Sequence, residues 1–269
     1  MNLISKHFLY ASEVFLLDNG RFFHIDWAPR LKKVVSPENS PLEYLTVFSL
    51  KLSKGELFER EFTDEEAGFY VIEGTCEVES PQGNVILKPH DTVFVGGTKL
   101  RIRALDDLKA IISTAPSPVK DVLEIVKIDD AVKDPKLFRT AGGENFTRDV
   151  VTMIGDNIEG ARLLAGYTWV RKGNWSSWPP HEHGDLMEEV YIFYYLPPPG
   201  YGIQLVYESL EDLKMFLVRQ DDLVVIDRGY HPNVAAPGFE MKYLWVISAR
   251  RAFKDRIYGA WKVHPDFKS

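Results

Sequence analysis

Short runs that alternate apolar and polar residues recur along most of the chain. "YLTVFSLKL", "GFYVIEG", "CEVES", "NVILK", "DTVFVGG" and "KLRIRA" fill the first half; "EEVYIFYY", "IQLVYE", "KMFLVRQ", "DLVVIDRG" and "KYLWVISA" fill the second. Each has the length of a strand, is rich in Val, Ile, Tyr or Phe, and is bounded by Gly, Pro, Asp or Asn. That pattern predicts strands at regular spacing in a sandwich or barrel. Helical periodicity is scarce. Its best stretch, "SPVKDVLEIVKIDDAVKDP" from Ser117 to Pro135, is charged and partly amphipathic and predicts a helix connecting two halves. A faint internal repeat supports the division: Tyr70 in "YVIEG" aligns with Tyr191 in "YIFYY", and Asp91 in "DTVFVGG" with Asp222 in "DLVVIDRG". The expected organisation is all-β, with residues 1–125 and 126–269 as two related domains.

Composition narrows the partners. The 269 residues, 45% of them hydrophobic, can fill two cores of ordinary size. A formal net charge of −7 argues against nucleic acid and anionic membrane surfaces, which select for excess Lys and Arg, and leaves a small or polar ligand as the expectation. Cys76 is the one cysteine, so no intrachain disulfide can form, and it reads as a small buried hydrophobe in a reducing compartment. The opening "MNLISKHFLYASEVFLL" lacks a cleavage signature, and no segment approaches the roughly 18 apolar residues of a membrane span. A cytoplasmic, unanchored protein is expected.

One stretch changes the picture. "NWSSWPPHEHGDLMEEVYIF" places His181 and His183 two apart, so on a strand both imidazoles project from one face. The adjoining Glu188 and Glu189 follow at the next strand, and His231 stands in "RGYHP" just after a strand and a Gly turn. Three imidazoles and a carboxylate suit Zn(II), Fe(II), Mn(II) or Ni(II) with an open position for substrate or water. In the repeat alignment Arg60, Phe62, Gly68 and Leu100 stand opposite His181, His183, Glu189 and His231, so the first half is expected to hold no such set. His90 in "KPHDT" reads as a solvated turn histidine, and Lys99, Arg101 and Arg103 as one solvated strand face.

"HEHGDLMEEVYIF" with "DDLVVIDRGYHP" resembles the two metal motifs of the cupin superfamily. More narrowly, "ARLLAGYTWVRKGNWSSWPPHEH", "LPPPGYGIQLVYE" and "RGYHPNVAAPGFEMKYLWV" are similar to the 5-deoxy-glucuronate isomerase family of myo-inositol catabolism and to related uronate ketol-isomerases. The resemblance is ordered from about Phe146 to Ala249; in the first half it rests on length and strand pattern. It implies a two-domain cupin of double-stranded β-helix barrels, a homo-oligomer, and a metal held by His181, His183, a glutamate and His231, with Zn(II) the foremost candidate. The family's E-[VT]-Y pattern selects Glu189, whereas the spacing H-x-H-x4-E selects Glu188.

The activity so implied is aldose–ketose isomerisation of a sugar acid, most specifically 5-deoxy-glucuronate to 5-dehydro-2-deoxy-gluconate. Such a reaction needs a general base at the substrate carbon. Glu188 and Tyr243 are the leading candidates, with Tyr191 and Tyr230 also available. A uronate carboxylate calls for a guanidinium fork, and Arg228, three residues before His231, is the first choice over Arg148, Arg171 and Lys242. Gln204 and Tyr207 match family positions that can hydrogen-bond sugar hydroxyls, and Lys242 completes the expected substrate set. A cupin oxygenase or oxidase with a redox metal, and a non-catalytic sugar-binding bicupin, are the competing readings.

Overall fold

The computed structural model describes residues 20–28, 30–81 and 83–267. In chain order the first half carries β1 (Phe22–His24), β2 (Arg30–Val35), β3 (Thr46–Leu52), β4 (Leu57–Glu61), β5 (Glu65–Glu73), β6 (Cys76–Ser80), β7 (Gly83–Leu87), β8 (Thr92–Gly96), β9 (Lys99–Ala104), β10 (Leu108–Pro116) and β11 (Val122–Val126). A single helical turn, α1 (Ile128–Ala131), leads to β12 (Phe138–Ala141), β13 (Arg148–Ile154), β14 (Leu163–Val170), β15 (Trp175–Ser176) and β16 (His181–Glu182). Then come β17 (Met187–Tyr195), β18 (Gly202–Val206), β19 (Lys214–Val218), β20 (Asp222–Ile226), β21 (Asn233–Ala235), β22 (Met241–Ala249) and β23 (Lys262–Val263). Among the described residues no helix is long and apolar enough to cross a membrane.

The sheets repeat one plan. In the first half a six-stranded sheet, β11-β8-β5-β10-β3-β2, faces a four-stranded one, β4-β9-β6-β7. In the second, a seven-stranded sheet, β1-β20-β17-β22-β14-β13-β12, faces β15-β21-β18-β19, and β16 pairs with β23. Tyr70 and Tyr191 thus lie on the equivalent strands β5 and β17, and Asp91 and Asp222 stand at the starts of β8 and β20, which is the repeat glimpsed in the sequence. This is the all-β, two-barrel cupin architecture. The division expected at 125/126 falls at the end of β11, and β1 crosses it by lying antiparallel along β20.

Three packed clusters explain the pattern. Leu50, Phe69, Val93 and Ile102 belong to the interior of the first barrel, and Tyr191, Phe193, Tyr243 and Trp245 to that of the second. Between them the two larger sheets pack face to face through Val47, Tyr70 and Ile111 on one side and Val190, Ile192, Leu244 and Val246 on the other. Central strands such as β5 and β17 are therefore buried on both faces and read as continuous apolar runs. By contrast β9 alternates cleanly: Leu100 and Ile102 are buried, while Lys99 and Arg101 are solvated and paired with Glu59 and Glu79. Cys76 is free and buried.

Two expectations are corrected here. The segment Ser117–Pro135 is mostly not helical; Val122–Val126 forms β11 along β8, and only one turn of helix follows. The β-branched "VLEIV" run completes the edge of a sheet, where tertiary pairing outweighs weak helical periodicity. That turn is fastened by the Asp91 carboxylate, which accepts the Ile128 N–H at 2.8 Å. His90 does sit in a turn, with a left-handed φ of 73°, but it is only partly exposed. Its ring packs edge-on against Tyr167 at 4.9 Å and lies beside Trp169 and Tyr194, because the turn before β8 points at the other barrel.

Candidate metal centre and substrate cavity

Alternation along β17 decides which glutamate enters the second barrel. Met187, Glu189 and Tyr191 face its interior, together with Tyr243, Trp245 and Ile247 of β22. Glu188 faces the other way, into the layer between the barrels, where its carboxylate accepts the backbone N–H groups of Glu43 and Tyr44 at 2.8 Å and Leu45 at 2.7 Å. The expected role of Glu188 as general base is therefore corrected, since the sheet itself separates it from the cavity.

His181 and His183 enter from β16 and the residue after it, and His231 from the turn after β20. Their donor nitrogens lie within 4.8 Å of one another. Glu189 Oε2 is 3.3 Å from His183 Nε2 and 3.2 Å from His231 Nε2. Those spacings suit neighbouring ligands of one ion whose bonds are about 2.1 Å long. The opposite ring nitrogens are already committed. Nδ1 faces a backbone carbonyl in each case: Pro179 at 3.4 Å for His181, Ala260 at 3.1 Å for His183 and Gly229 at 2.9 Å for His231. A carbonyl only accepts, so each Nδ1 carries the proton and each Nε2 presents a lone pair, the orientation typical of metal-ligating histidines.

Glu189 Oε2 and His231 Nε2 are buried without a hydrogen-bond partner. Leaving two such atoms unsatisfied is costly, and a cation between them would satisfy both. Burial raises the Glu189 carboxyl, but the imidazoles of His183 and His231 beside it outweigh that effect and bring it down to about 2. Burial, reinforced by the other two imidazoles, holds His181 well below the ordinary histidine range, so its imidazole stays neutral. One anionic oxygen and three imidazole lone pairs thus converge, and the residues present fit a divalent metal.

A cavity opens beside them. Hydroxyls line one wall in pairs: Ser176 Oγ lies 2.7 Å from the Tyr243 phenol, and Ser177 Oγ 2.6 Å from that of Tyr191. Tyr243 lines the cavity. Arg148, at the start of β13, reaches the same space. The chain's last strand closes the other side: Tyr258, Ala260 and Trp261 line the cavity, β23 pairs with β16, and the Ala260 carbonyl orients His183. No motif in the C-terminal stretch marked this contribution; its aromatic residues were the only signal.

Four expected substrate contacts are not brought to the cavity. Arg228 is an exposed turn residue with a guanidinium nitrogen 3.6 Å from Asp185. The Gln204 amide is consumed within the fold: Nε2 donates to the carbonyls of Leu205 and His231, and Oε1 accepts from Asn233. Tyr207 bridges to Tyr230 in the backbone ladder, and the two rings lie tilted with centroids 5.5 Å apart. Lys242, next to Tyr243 on β22, points to the opposite face and lies over the rings of Trp169 and Tyr195. Of the other arginines weighed, Arg171 is paired with Asp149 at 2.7 Å.

Known proteins bear on this arrangement. Residues 27–262 match the KduI/IolB family. The 5-deoxy-glucuronate isomerase of Lacticaseibacillus casei is 30% identical over 239 residues, spanning 81% of this chain and 86% of that protein. The enzyme of the same name from Listeria monocytogenes serotype 4a is 28% identical over 254 residues, 86% of this chain and 88% of its own. Among solved structures, an IolB-like protein from Salmonella typhimurium LT2 superposes with a TM-score of 0.79 at 20% identity, covering 92% of this chain and 97% of the other. Oxalate decarboxylase from Bacillus subtilis, an enzyme with Mn(II) centres, superposes with a TM-score of 0.63 at 14% identity over 90% of this chain and 78% of its own. The structural likenesses carry the cupin fold and the sequence matches carry the family: the chain belongs to the KduI/IolB family and is an isomerase.

Proposed function

We propose that this enzyme interconverts the aldose and ketose forms of a sugar acid, 5-deoxy-glucuronate with 5-dehydro-2-deoxy-gluconate, using a divalent metal, foremost Zn(II), held by His181, His183, Glu189 and His231. The observation that carries the reading is the convergence of buried, partnerless donor atoms beside a hydroxyl-lined cavity. The names of its relatives supply the substrate. We also read the protein as homo-oligomeric, as the family resemblance implies, and as cytoplasmic.

The reaction moves one proton from C2 to C1 and one from the C2 hydroxyl to the C1 oxygen, with no net oxidation. When bound, the metal supplies Lewis-acid stabilisation of the negative charge that develops on the two oxygens. The chain's own residues orient the substrate and manage protons. Tyr243, hydrogen-bonded to Ser176, is placed to carry a proton, and the Ser177–Tyr191 pair extends the hydroxyl wall along which one can pass. The strand β23 and Trp261 cover the site and limit access of water.

The test is an anaerobic assay of metal-analysed protein with 5-deoxy-glucuronate, followed by NMR as aldehyde signal is replaced by ketone. Conversion that survives the removal of oxygen but not of metal is expected. His183→Ala and His231→Ala should each lose bound metal and activity while remaining folded; stoichiometric metal in both variants would overturn the ligand assignment. No conversion by fully loaded protein would overturn the substrate.

A further inference from the structure

Arg148 lines the cavity partly buried, with a charge that no carboxylate among the described residues compensates. It stands at the head of β13 and donates through Nη1 to the Phe146 carbonyl at 3.0 Å and through Nη2 to the Trp178 carbonyl at 2.8 Å. Among the described residues no carboxylate pairs with it, whereas Arg21, Arg60, Arg171 and Arg251 each have one. Two carbonyls hold the guanidinium and leave further N–H donors free on a residue that lines the cavity. A partly buried cation without a counter-ion is costly to keep, and the cost is recovered when an anion arrives. Among the described residues Glu189 is the only carboxylate lining the cavity, and its shared oxygen faces His183 and His231. The remaining cation there, Arg139, is exposed, spends Nη1 on the Tyr258 phenol and lies over the Tyr258 and Trp261 rings.

The cavity therefore has two unlike poles. At one, imidazoles and Glu189 converge; at the other stands a guanidinium held by two carbonyls. Tyr191 links them, its ring 5.7 Å from that of His231 and its phenol within the electrostatic reach of Arg148. A sugar acid carries its carbonyl and its carboxylate at opposite ends. We infer that Arg148 binds the substrate's carboxylate and sets the enzyme's preference for sugar acids over neutral sugars. This rests on the proposed isomerase reading for the orientation of the substrate, but the anion preference can be measured without turnover.

The experiment compares wild type, Arg148→Met and Arg148→Lys, each with metal content and thermal melting recorded. Calorimetric titration uses D-glucuronate and D-glucose as probes; kinetics use 5-deoxy-glucuronate and the neutral analogue in which a hydroxymethyl replaces the carboxylate. Wild type should bind the acid more tightly than the neutral sugar. In Arg148→Met the ratio of kcat/KM for acid over neutral analogue should fall about 100-fold, mostly through KM, with Arg148→Lys between the two because it keeps charge but loses the fork. An unchanged acid preference in a folded, metal-bearing Arg148→Met would overturn the inference and leave the isomerase intact. Failure of wild type to turn over the acid would overturn the isomerase reading, and the binding titrations would still decide the role of Arg148: no wild-type preference for D-glucuronate, or a preference that persists without the arginine, would overturn it.

Discussion

Glu188 and Glu189 share a side chain and a peptide bond yet serve opposite faces of one strand. Glu189 turns into the barrel toward His183 and His231, and Glu188 turns out to gather three backbone N–H groups from the other half. Sequence could identify the pair and predict that only one enters the barrel, since alternation is a local rule; which one depends on register, set by β20 and β22 on either side. The histidines were legible for the same reason. Gln204 was legible as important but not in its role. Its Nε2 holds the carbonyl of His231, so it steadies a donor from behind instead of touching sugar. Gln204→Leu should weaken metal binding by about 10- to 100-fold in a chelator competition. It should also cost about 1–3 kcal/mol of stability from the carbonyls left unsatisfied, read by urea unfolding.

At the scale of elements, the long strands rich in Val, Ile, Tyr and Phe announced themselves, and the short ones did not. β15, β16 and β23 are two-residue pairings that lack any period of their own, yet they position the histidine pair and close the cavity. Their existence depends on chain segments that meet only in the folded barrel. The turn carrying His90 makes the same point: "KPHDT" specifies a turn locally, while the aromatic wall it meets belongs to β14 and β17. Burial, then the nearby Lys242 charge, pulls the His90 imidazole down to about 4, against the partial opposition of Asp91. A histidine depressed in the folded state loads its proton first in the unfolded chain, so stability should fall as pH drops from about 6.5 to about 4. The full contribution is about 3 kcal/mol. His90→Asn, which tolerates the left-handed backbone, should flatten that part of the pH profile in urea titrations with chelator present; an identical acid slope in both proteins would remove His90 as its source.

Across the whole molecule the two barrels are tied by a reciprocal device. Glu66 of β5, the strand equivalent to β17, accepts the backbone N–H groups of Ala161, Arg162 and Leu163 at the entrance to β14, and the hydroxyl of Ser117. Glu188 does the same for residues 43–45 at the entrance to β3. Neither carboxylate is solvent-exposed. Glu66→Ala should destabilise the protein by about 3 kcal/mol or more, because three buried donors lose their acceptor, and Glu66→Gln should recover part of the loss in thermal or urea unfolding. This tie was invisible in the sequence because each glutamate and the segment it fastens lie about a hundred residues or more apart, in different barrels.

The exchange of carboxylates, with β1 laid along β20, means that each barrel is finished by its neighbour. The first barrel supplies none of the histidines or Glu189, so its retention would be puzzling if it were an ornament. It is instead a scaffold that the reactive barrel cannot shed. Cut between β11 and β12, the two pieces should behave as complementary fragments, each misfolding or aggregating when produced alone and regaining shape and metal only when supplied with the other.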